Sequence, residues 1–542
     1  MIIDHKYKDQ VVGVLGFGKT GISMIQSLLA SGAKVIAYDD YECKGMSGGT
    51  KSLEGEPSQN IAKECLLTVT HPNLIVAPIE LEMISSLAIS PGIDSSKHDL
   101  VQRAIKASIP IISDMDMLYE ACPLAFYITI TGTNGKSTTT NLINHIICGI
   151  ISIDEQRPNF RPHRHERCKF TSVQMGGNIG TASLSLQVVN RTDSAYVLEM
   201  SSYQIDLLLS MKSSIAICLN ITPDHLDRYQ NMDRYSTSKS QLFDRCDHAI
   251  ISVDHPHCLQ IYEGLKRKQS QMNDVQPKAS QPVIIPFSVK KRLLYGVSLI
   301  DGILNISLDD YMKEKTNSEI RIHIENLDIT GFIPGSLLGK HNAENIASAI
   351  AVSLLCGCKL DDTLQQIKSY QALPHRMEII QTLDQLNAVG LNGDTEACRG
   401  IIWVNDSKAT NTESTRYALN AFSNIHWIMG GLAKEDSVLA LKDDLQNVLC
   451  TYLIGSSTDK FAEHCKEISL AGSGMKYEIC CTLEEAINRI KNKIQSGNIR
   501  PNATILLSPA CASLDQWKNF EERGEYFAKI VRKISREEDR LQ

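Results

Sequence analysis

Residues Ile128–Thr140 read "ITITGTNGKSTTT", and the reading of this stretch decides the fold. Ile-Thr-Ile-Thr, rich in β-branched residues, is a strand. It breaks at Gly132-Thr-Asn-Gly135 and resumes as a polar helix start at Lys136, Ser137 and Thr138. In such a strand–loop–helix unit, successive backbone N–H groups form an anion nest. The lysine neutralises terminal phosphates and the hydroxyl is offered to magnesium. The usual spacing, G-x-x-x-x-G-K-[ST], asks for glycine where Ile130 stands, and the first glycine comes late, at Gly132. A structural turn does not need Gly-x-x-Gly-Lys-Ser-Thr behind a strand. Gly132, Thr133, Asn134, Gly135, Lys136, Ser137 and Thr138 are therefore read as a loop built for ATP.

Upstream, "VVGVL" from Val11, the loop "GFGKTG", an apolar-periodic helix to about Ala30 and the strand "KVIAYDD" form a βαβ opening. Gly16, Gly18 and Gly21 match G-x-G-x-x-G, and Asp39 ends the next strand about 20 positions on, where a ribose-binding acid sits. A diphosphate at the helix N-terminus is the expectation; the motif alone does not separate NAD from other nucleotide diphosphates. "NLIVAPIE", "LAISPGID" and "IPIIS" read as further buried strands, and "ACPLA" (121–125) ends the segment.

Downstream, "SAYVLEMS" and "SIAICLNIT" are strands ending in polar residues, where parallel sheets bind ligands. Glu199 ends one, and Asp224, His225, Asp227 and Arg228 cluster after the other. Two such clusters beside one phosphate loop point to a magnesium site. Lys239 lies on a helix beginning near Met232; a single lysine there reads by default as surface. A hydrophilic stretch from Asp254 to Asn326 interrupts the pattern, and helical "HNAENIASAIAVSLLCG" closes the segment. After "ALPHRME" the alternation restarts: "IIWVND" before a helix from Ser414, "IHWIMGG" before helical "EDSVLALKDDL", "CTYLIGSS", "ATILLSPA", and a last helix from Trp517. "NDSKATNTEST" and "SPACASLDQWKNFEERG" each follow a strand end and suggest a small polar ligand, although Ser, Asp and Asn also serve as helix caps. The expected fold is α/β in three domains: a Rossmann-like domain over 1–123, a central P-loop-type ATPase domain with a parallel sheet over 124–372, and a second Rossmann-like domain over 373–542.

The 542 residues suit roughly three or four domains. With 55 basic against 62 acidic residues and a net charge of −7, nucleic acid is not the expected partner. "MIIDHKYKDQ" carries no apolar leader, and no run approaches the roughly 18 apolar residues of a spanning helix, so no membrane association is expected. The 16 cysteines form no C-x-x-C pair and fit a reducing cytoplasm. His163, His165 and Cys168, in the basic stretch 156–169, read as solvated surface rather than a metal site.

The order "TGTNGKST", "GGNIG", "LEMSSYQ", "NITPDHLDRY", "GKHN", "LPHRME", "NDSKATN", "GGLAKE" and "SPACASLDQWKNFEERG" resembles the Mur ligases of peptidoglycan synthesis, from Gly16 to Gly524. Within that family, "NDSKATN" with "SLDQWKNFEERG" is similar to the members that add D-glutamate. The resemblance implies that ATP phosphorylates the carboxylate of UDP-N-acetylmuramoyl-L-alanine and that the amine of D-glutamate attacks the acyl phosphate. It implies UDP contacts from Gly16, Gly18, Lys19, Thr20, Ser90 and Gly92, and contacts to the muramoyl-alanine end from Asn178 and Gln204. Lys136 and Ser137 touch ATP and its magnesium, Glu199 ligates that ion, and His225 ligates a second one together with Lys239 as a carbamate. Asn342, Asn345, Arg376, Asp406 and Lys408 contact the nucleotide; Thr410, Lys434, Ser513 and Phe520 hold D-glutamate. A monomer is expected. The chain departs from the family by extra material near 40–63, 148–172 and 254–330, by the acidic Asp39-Asp40 pair in the uridine region, and by Trp517 where phenylalanine is usual. Three rivals use part of the pattern: an NAD-dependent dehydrogenase through the first loop and Asp39, a folylpolyglutamate-type ligase through the ATP loop, and a non-catalytic nucleotide-binding regulator.

Overall fold

The computed structural model describes residues 1–40, 71–155, 168–178, 180–272, 281–308, 322–337, 340–371, 374–383, 400–433, 439–469 and 476–539. Three sheets carry the chain. The first comprises β1 (Val11–Leu15), β2 (Lys34–Tyr38), β3 (Leu74–Val76), β4 (Ser86–Ile89) and β5 (Ile111–Ile112) in the order β3-β2-β1-β4-β5. Every pair is parallel, so the helices cover both faces and β4 is buried along its whole length. "NLIVAPIE", expected as a buried strand, is instead the edge, with Ile75 55% exposed. A short apolar run does not by itself distinguish an edge strand from a central one.

The helix Lys19–Ala30 lies close on β1 because Gly21 has no side chain. A Cβ there would collide with the Gly16 carbonyl and come within 2.6 Å of Ser90 Oγ. Both obstacles belong to the packed strand tips, so Gly21→Ala should destabilise the protein by about 2 kcal/mol. An unchanged denaturation midpoint would reject this.

The second sheet holds β6 (Phe126–Thr131), β7 (Ser172–Gly177), β8 (Ser194–Glu199), β9 (Ser213–Cys218), β10 (Cys246–Ser252), β11 (Val283–Ser288), β12 (Gly296–Ile300), β13 (Ile303–Ser307) and β14 (His323–Asp328). Their order is β14-β13-β12-β11-β10-β9-β6-β8-β7. The stretch Asp254 to Asn326, expected to interrupt the pattern with mixed charges and weak strands, carries β11 to β14 and so extends the sheet. β11 is wholly buried, whereas β14 ("HIENLD") is mostly exposed. An outer strand can be polar, and polar strands resemble loops when read from sequence alone.

The first two sheets form one unit, Met1–Ile333 with Asn342–Tyr370. A single core runs from Val12, Met24 and Leu28 to Leu184, Leu198 and Ala216. Asp116 reinforces the join by accepting the backbone N–H groups of Leu209, Ser210 and Met211 at 3.0, 2.7 and 2.8 Å.

The other unit, Pro334–His341 with Gln371–Gln542, contains the third sheet. It is built from β15 (Glu378–Leu383), β16 (Ile401–Asn405), β17 (Ile425–Gly430), β18 (Val448–Ile454), β19 (Lys476–Cys481) and β20 (Thr504–Leu507), ordered β15-β16-β20-β17-β18-β19. Only β15 runs antiparallel. Two helix expectations need correction. "EDSVLALKDDL" forms a 3-10 helix over Leu439–Asn447; Arg416 Nη2 takes the Ala440 carbonyl at 2.8 Å and competes for the acceptor of an α-helical turn. The last helix begins at Phe520, not Trp517, because the Trp517 N–H closes a preceding turn on the Ser513 carbonyl.

Candidate functional site

β6 pairs with β8 on one side and β9 on the other, so the loop leaving it lies where the strand order reverses. Ligands of open α/β sheets bind at such switch points. Gly135, at φ +82°, has no room for a side chain, since a Cβ would run into Asn345 Oδ1. Asn345 also accepts from Thr139 Oγ1 at 3.0 Å and donates to Asn342 Oδ1 at 2.8 Å. Asn342 and Asn345 thus back the loop from the helix Lys340–Leu355. Thr133 pins its other side: its N–H bonds the Asn220 carbonyl at 2.8 Å, and Oγ1 donates to the Thr222 carbonyl at 3.1 Å. Ser137 is buried and Thr138 half-buried at the start of the helix Lys136–Glu155.

Two lysines converge on the loop. Lys136 Nζ donates to the Gly132 and Thr133 carbonyls at 3.0 and 2.8 Å. Lys239, 1% exposed on the helix Met232–Ser240, donates to the same Gly132 carbonyl at 2.9 Å. The default reading of Lys239 as a surface lysine is therefore wrong. Burial and then the charge of Lys136 lower its pKa to about 7, so much of it is neutral near neutral pH. The segment just after Glu199 is tied to the same place: Thr131 Oγ1 lies 3.4 Å from Lys239 Nζ and donates to the Met200 carbonyl at 3.0 Å. The Glu199 carboxylate accepts Asn178 Nδ2 at 3.1 Å. His225 opens the turn Leu226–Tyr229 with φ +53°; its ring centroid is 5.0 Å from that of Tyr203, and Nε2 is 3.4 Å from Asp224.

In the first sheet, Asp39 spends one oxygen on the Phe17 N–H at 2.8 Å, holding the glycine loop. Ser90 Oγ donates to the Gly16 carbonyl at 3.2 Å, and the Lys19 ammonium reaches the Gly180 carbonyl. Cβ atoms added at Gly18 or Gly92 would meet nothing within 4 Å, so the space beside both is open; Thr20 is half-buried nearby. Gln204 is buried, held in a capping box with Ser201 and 3.4 Å from Asp114 Oδ2. Sequence reasoning placed Arg228 only in the polar cluster read as a magnesium site. Its guanidinium lies 4.0 Å from the Tyr203 ring centroid and donates to the Pro91 and Ile93 carbonyls, tying the "SPG" turn to "DHLDRY".

In the other unit, three expected motifs meet. Asn405 Nδ2 donates to the Gly524 carbonyl at 3.0 Å and lies 2.9 Å from His375 Nδ1. Arg523, fully buried, donates to the Ser407 carbonyl at 2.8 Å and the Cys511 carbonyl at 3.2 Å. It therefore fixes the "NDSKATN" and "SPACAS" loops against each other, a role for which the sequence held no signal beyond its place in "FEERG". Burial raises the pKa of Asp406 to about 7, although Ser508 Oγ donates to it at 2.7 Å and Arg376 is a nearby cation. Lys408 Nζ lies 5.1 Å from the Phe520 ring centroid; Thr410 is half-buried close by, and Ser513 is buried. Lys434 lies outside the described residues, as do His163, His165 and the 41–63 part of the first insertion. Cys168, expected on the solvated surface, is instead buried, and every described cysteine is a free thiol. Among the described residues no three His, Cys, Asp or Glu side chains gather as a metal cluster.

The Mur ligase middle domain profile matches residues 130–353. A UDP-N-acetylmuramoylalanine–D-glutamate ligase of Rickettsia bellii (strain RML369-C) is 32% identical over 532 residues, covering 98% of this chain and 99% of that one. The enzyme of the same name from Nitrobacter winogradskyi is 34% identical over 545 residues and 98% of both chains. The solved MurF of Acinetobacter baumannii aligns over 97% of this chain and 93% of its own, at 14% identity and a TM-score of 0.49. The chain belongs to the Mur ligase family.

Proposed function

We infer that this protein is an ATP-dependent ligase that adds D-glutamate to UDP-N-acetylmuramoyl-L-alanine in the synthesis of peptidoglycan precursors. Full-length likeness to ligases of that name supports the substrates. The observation that carries the chemistry is the convergence of Lys136 and Lys239 on one loop carbonyl. A carboxylate is a poor electrophile until it gains a phosphoryl leaving group, and making the acyl phosphate brings two anions together. Lys136 meets that need by turning from the Gly132 and Thr133 carbonyls to the terminal phosphates. The loop N–H groups hold those phosphates in line as the alanine carboxylate takes the γ-phosphoryl group and the bond to ADP breaks; the D-glutamate amine then attacks the acyl carbon and gives up a proton, and the tetrahedral intermediate expels phosphate.

The Ser137 hydroxyl, at the start of the helix that follows β6, and the Glu199 carboxylate, at the end of the adjoining β8, are hard oxygen donors, a set that suits magnesium. Ser137 and Glu199 would hold one ion, and His225 with a carbamate on Lys239 a second. Bound there, the ions would offset phosphate charge. The lowered pKa of Lys239 suits capture of CO₂ by its neutral amine. Asn342, Asn345, Arg376, Asp406 and Lys408 serve the nucleotide, and Thr410, Lys434, Ser513 and Phe520 serve D-glutamate. Gly16, Gly18, Lys19, Thr20, Ser90 and Gly92 serve the UDP moiety, and Asn178 and Gln204 the muramoyl-alanine end, Gln204 after leaving Ser201 and Asp114. The proposed domains are 1–123, 124–372 and 373–542, in a cytoplasmic monomer. Among the described residues no helix is long and apolar enough to cross a membrane.

The test is phosphate release with ATP and UDP-N-acetylmuramoyl-L-alanine, comparing D-glutamate, L-glutamate and no amino acid. Release should require the D-isomer. Equal release in all three arms would remove the assignment.

A further inference from the structure

Behind the phosphate loop runs a polar chain that the proposed reaction does not use. The β6–β9 pairing continues past the strand ends, with Leu219 N–H on the Thr131 carbonyl at 3.1 Å and Thr133 N–H on the Asn220 carbonyl at 2.8 Å. The side chain of Asn220, 5% exposed, adds one more rung. Its Oδ1 accepts the Asn134 N–H at 2.8 Å, and its Nδ2 donates to the Asn134 carbonyl at 3.2 Å. The second Nδ2 hydrogen goes to Glu344 Oε2 at 3.0 Å. Glu344 is 7% exposed, and its Oε1 lies 2.6 Å from His255 Nε2.

The two ends of an amide match in shape and oppose in polarity. Turned over, Asn220 would set N–H against N–H and oxygen against oxygen at Asn134. A carboxylate offers only acceptors, so Glu344 accepts the Nδ2 end alone. His255 holds the other carboxylate oxygen and with it the rotamer. We propose that Glu344, seated by His255, is a positioning residue that fixes the polarity of the Asn220 amide and thereby the loop conformation that receives the nucleotide phosphates. The proposal rests on the reading of residues 132–138 as the ATP loop. A preformed loop contributes equally to ground-state and transition-state binding, so its loss raises KM for ATP and spares kcat.

The experiment titrates the full-length protein with magnesium and a non-hydrolysable ATP analogue, alongside steady-state kinetics. Glu344→Ala should weaken analogue binding and raise KM for ATP about tenfold, with kcat within about twofold and KM for D-glutamate unmoved. Glu344→Gln can still turn an oxygen to Asn220 and should stay within about twofold of the parent. If Glu344→Ala does not fold, His255→Ala carries the test, with an expected weakening of about threefold. Parental analogue affinity in the alanine variant tested overturns the proposal, as does equal loss in the alanine and glutamine variants of Glu344. A parent protein that binds no analogue overturns the ATP-loop reading itself, and this inference falls with it.

Discussion

Lys136→Ala lowers phosphate release in the presence of both substrates by at least about 10³-fold, because the change removes the cation that the loop itself carries to the terminal phosphates. The backbone N–H groups of the loop survive the change and still bind phosphate, so nucleotide affinity falls far less than turnover. Lys239 cannot substitute: it is buried and is held on the Gly132 carbonyl at 2.9 Å from a different helix. Single-turnover measurements with radiolabelled ATP separate the two effects. Phosphate release by the variant at the parental rate contradicts the role given to Lys136.

Lys239→Ala has the second large effect, a loss of about 10²-fold or more in turnover, for a different reason. The alanine leaves a pocket at the Gly132 carbonyl, and a small carboxylic acid that enters it supplies the negative oxygens of the missing carbamate. Formate or acetate at millimolar levels therefore restores part of the activity, while Lys239→Arg, which fills the pocket with a fixed cation, is not rescued. Absence of rescue by every short acid tried removes the carbamate role. Stability has its own signature. The folded pKa of about 7 lies below the usual lysine value, so the folded protein carries fewer protons than the unfolded chain above pH 7. The cost of burying the amine is complete below pH 7 and is relieved as pH rises toward the unfolded pKa, so Lys239→Met should flatten a rise in stability across that window.

The sequence made legible whatever is written in consecutive residues. The loop Gly132–Ser137, the glycine run at Gly16 and the alternation of strands and helices each occupy a short window, and each lies where it was expected. What escaped is built from distant pairs. Asn134 and Asn220 are 86 residues apart, Asn220 and Glu344 are 124 apart, and Ser407 and Arg523 are 116 apart. No window contains both members, so even where one of them lies in a motif its partner cannot be named. Gln204 escaped in a subtler way: its local signal, Ser201 followed three places on by glutamine, is a capping box, and the resemblance drew attention instead to the ligand. The strands from β11 to β14 read only as weak strands in a hydrophilic stretch, because charged and polar residues surround buried β11 and make up most of exposed β14.

β14 closes one side of the nine-stranded sheet with His323, Glu325 and Asp328 along a mostly exposed ribbon, and Glu325 is paired with Arg292 at 2.7 Å. A strand in that position offers unbonded backbone groups to any passing chain. Ionic side chains along it must lose their hydration before another ribbon can zip alongside, so an addition that lengthens the sheet also carries its own barrier to fibre growth. A crowded compartment can then hold the larger sheet without molecules stacking rim to rim.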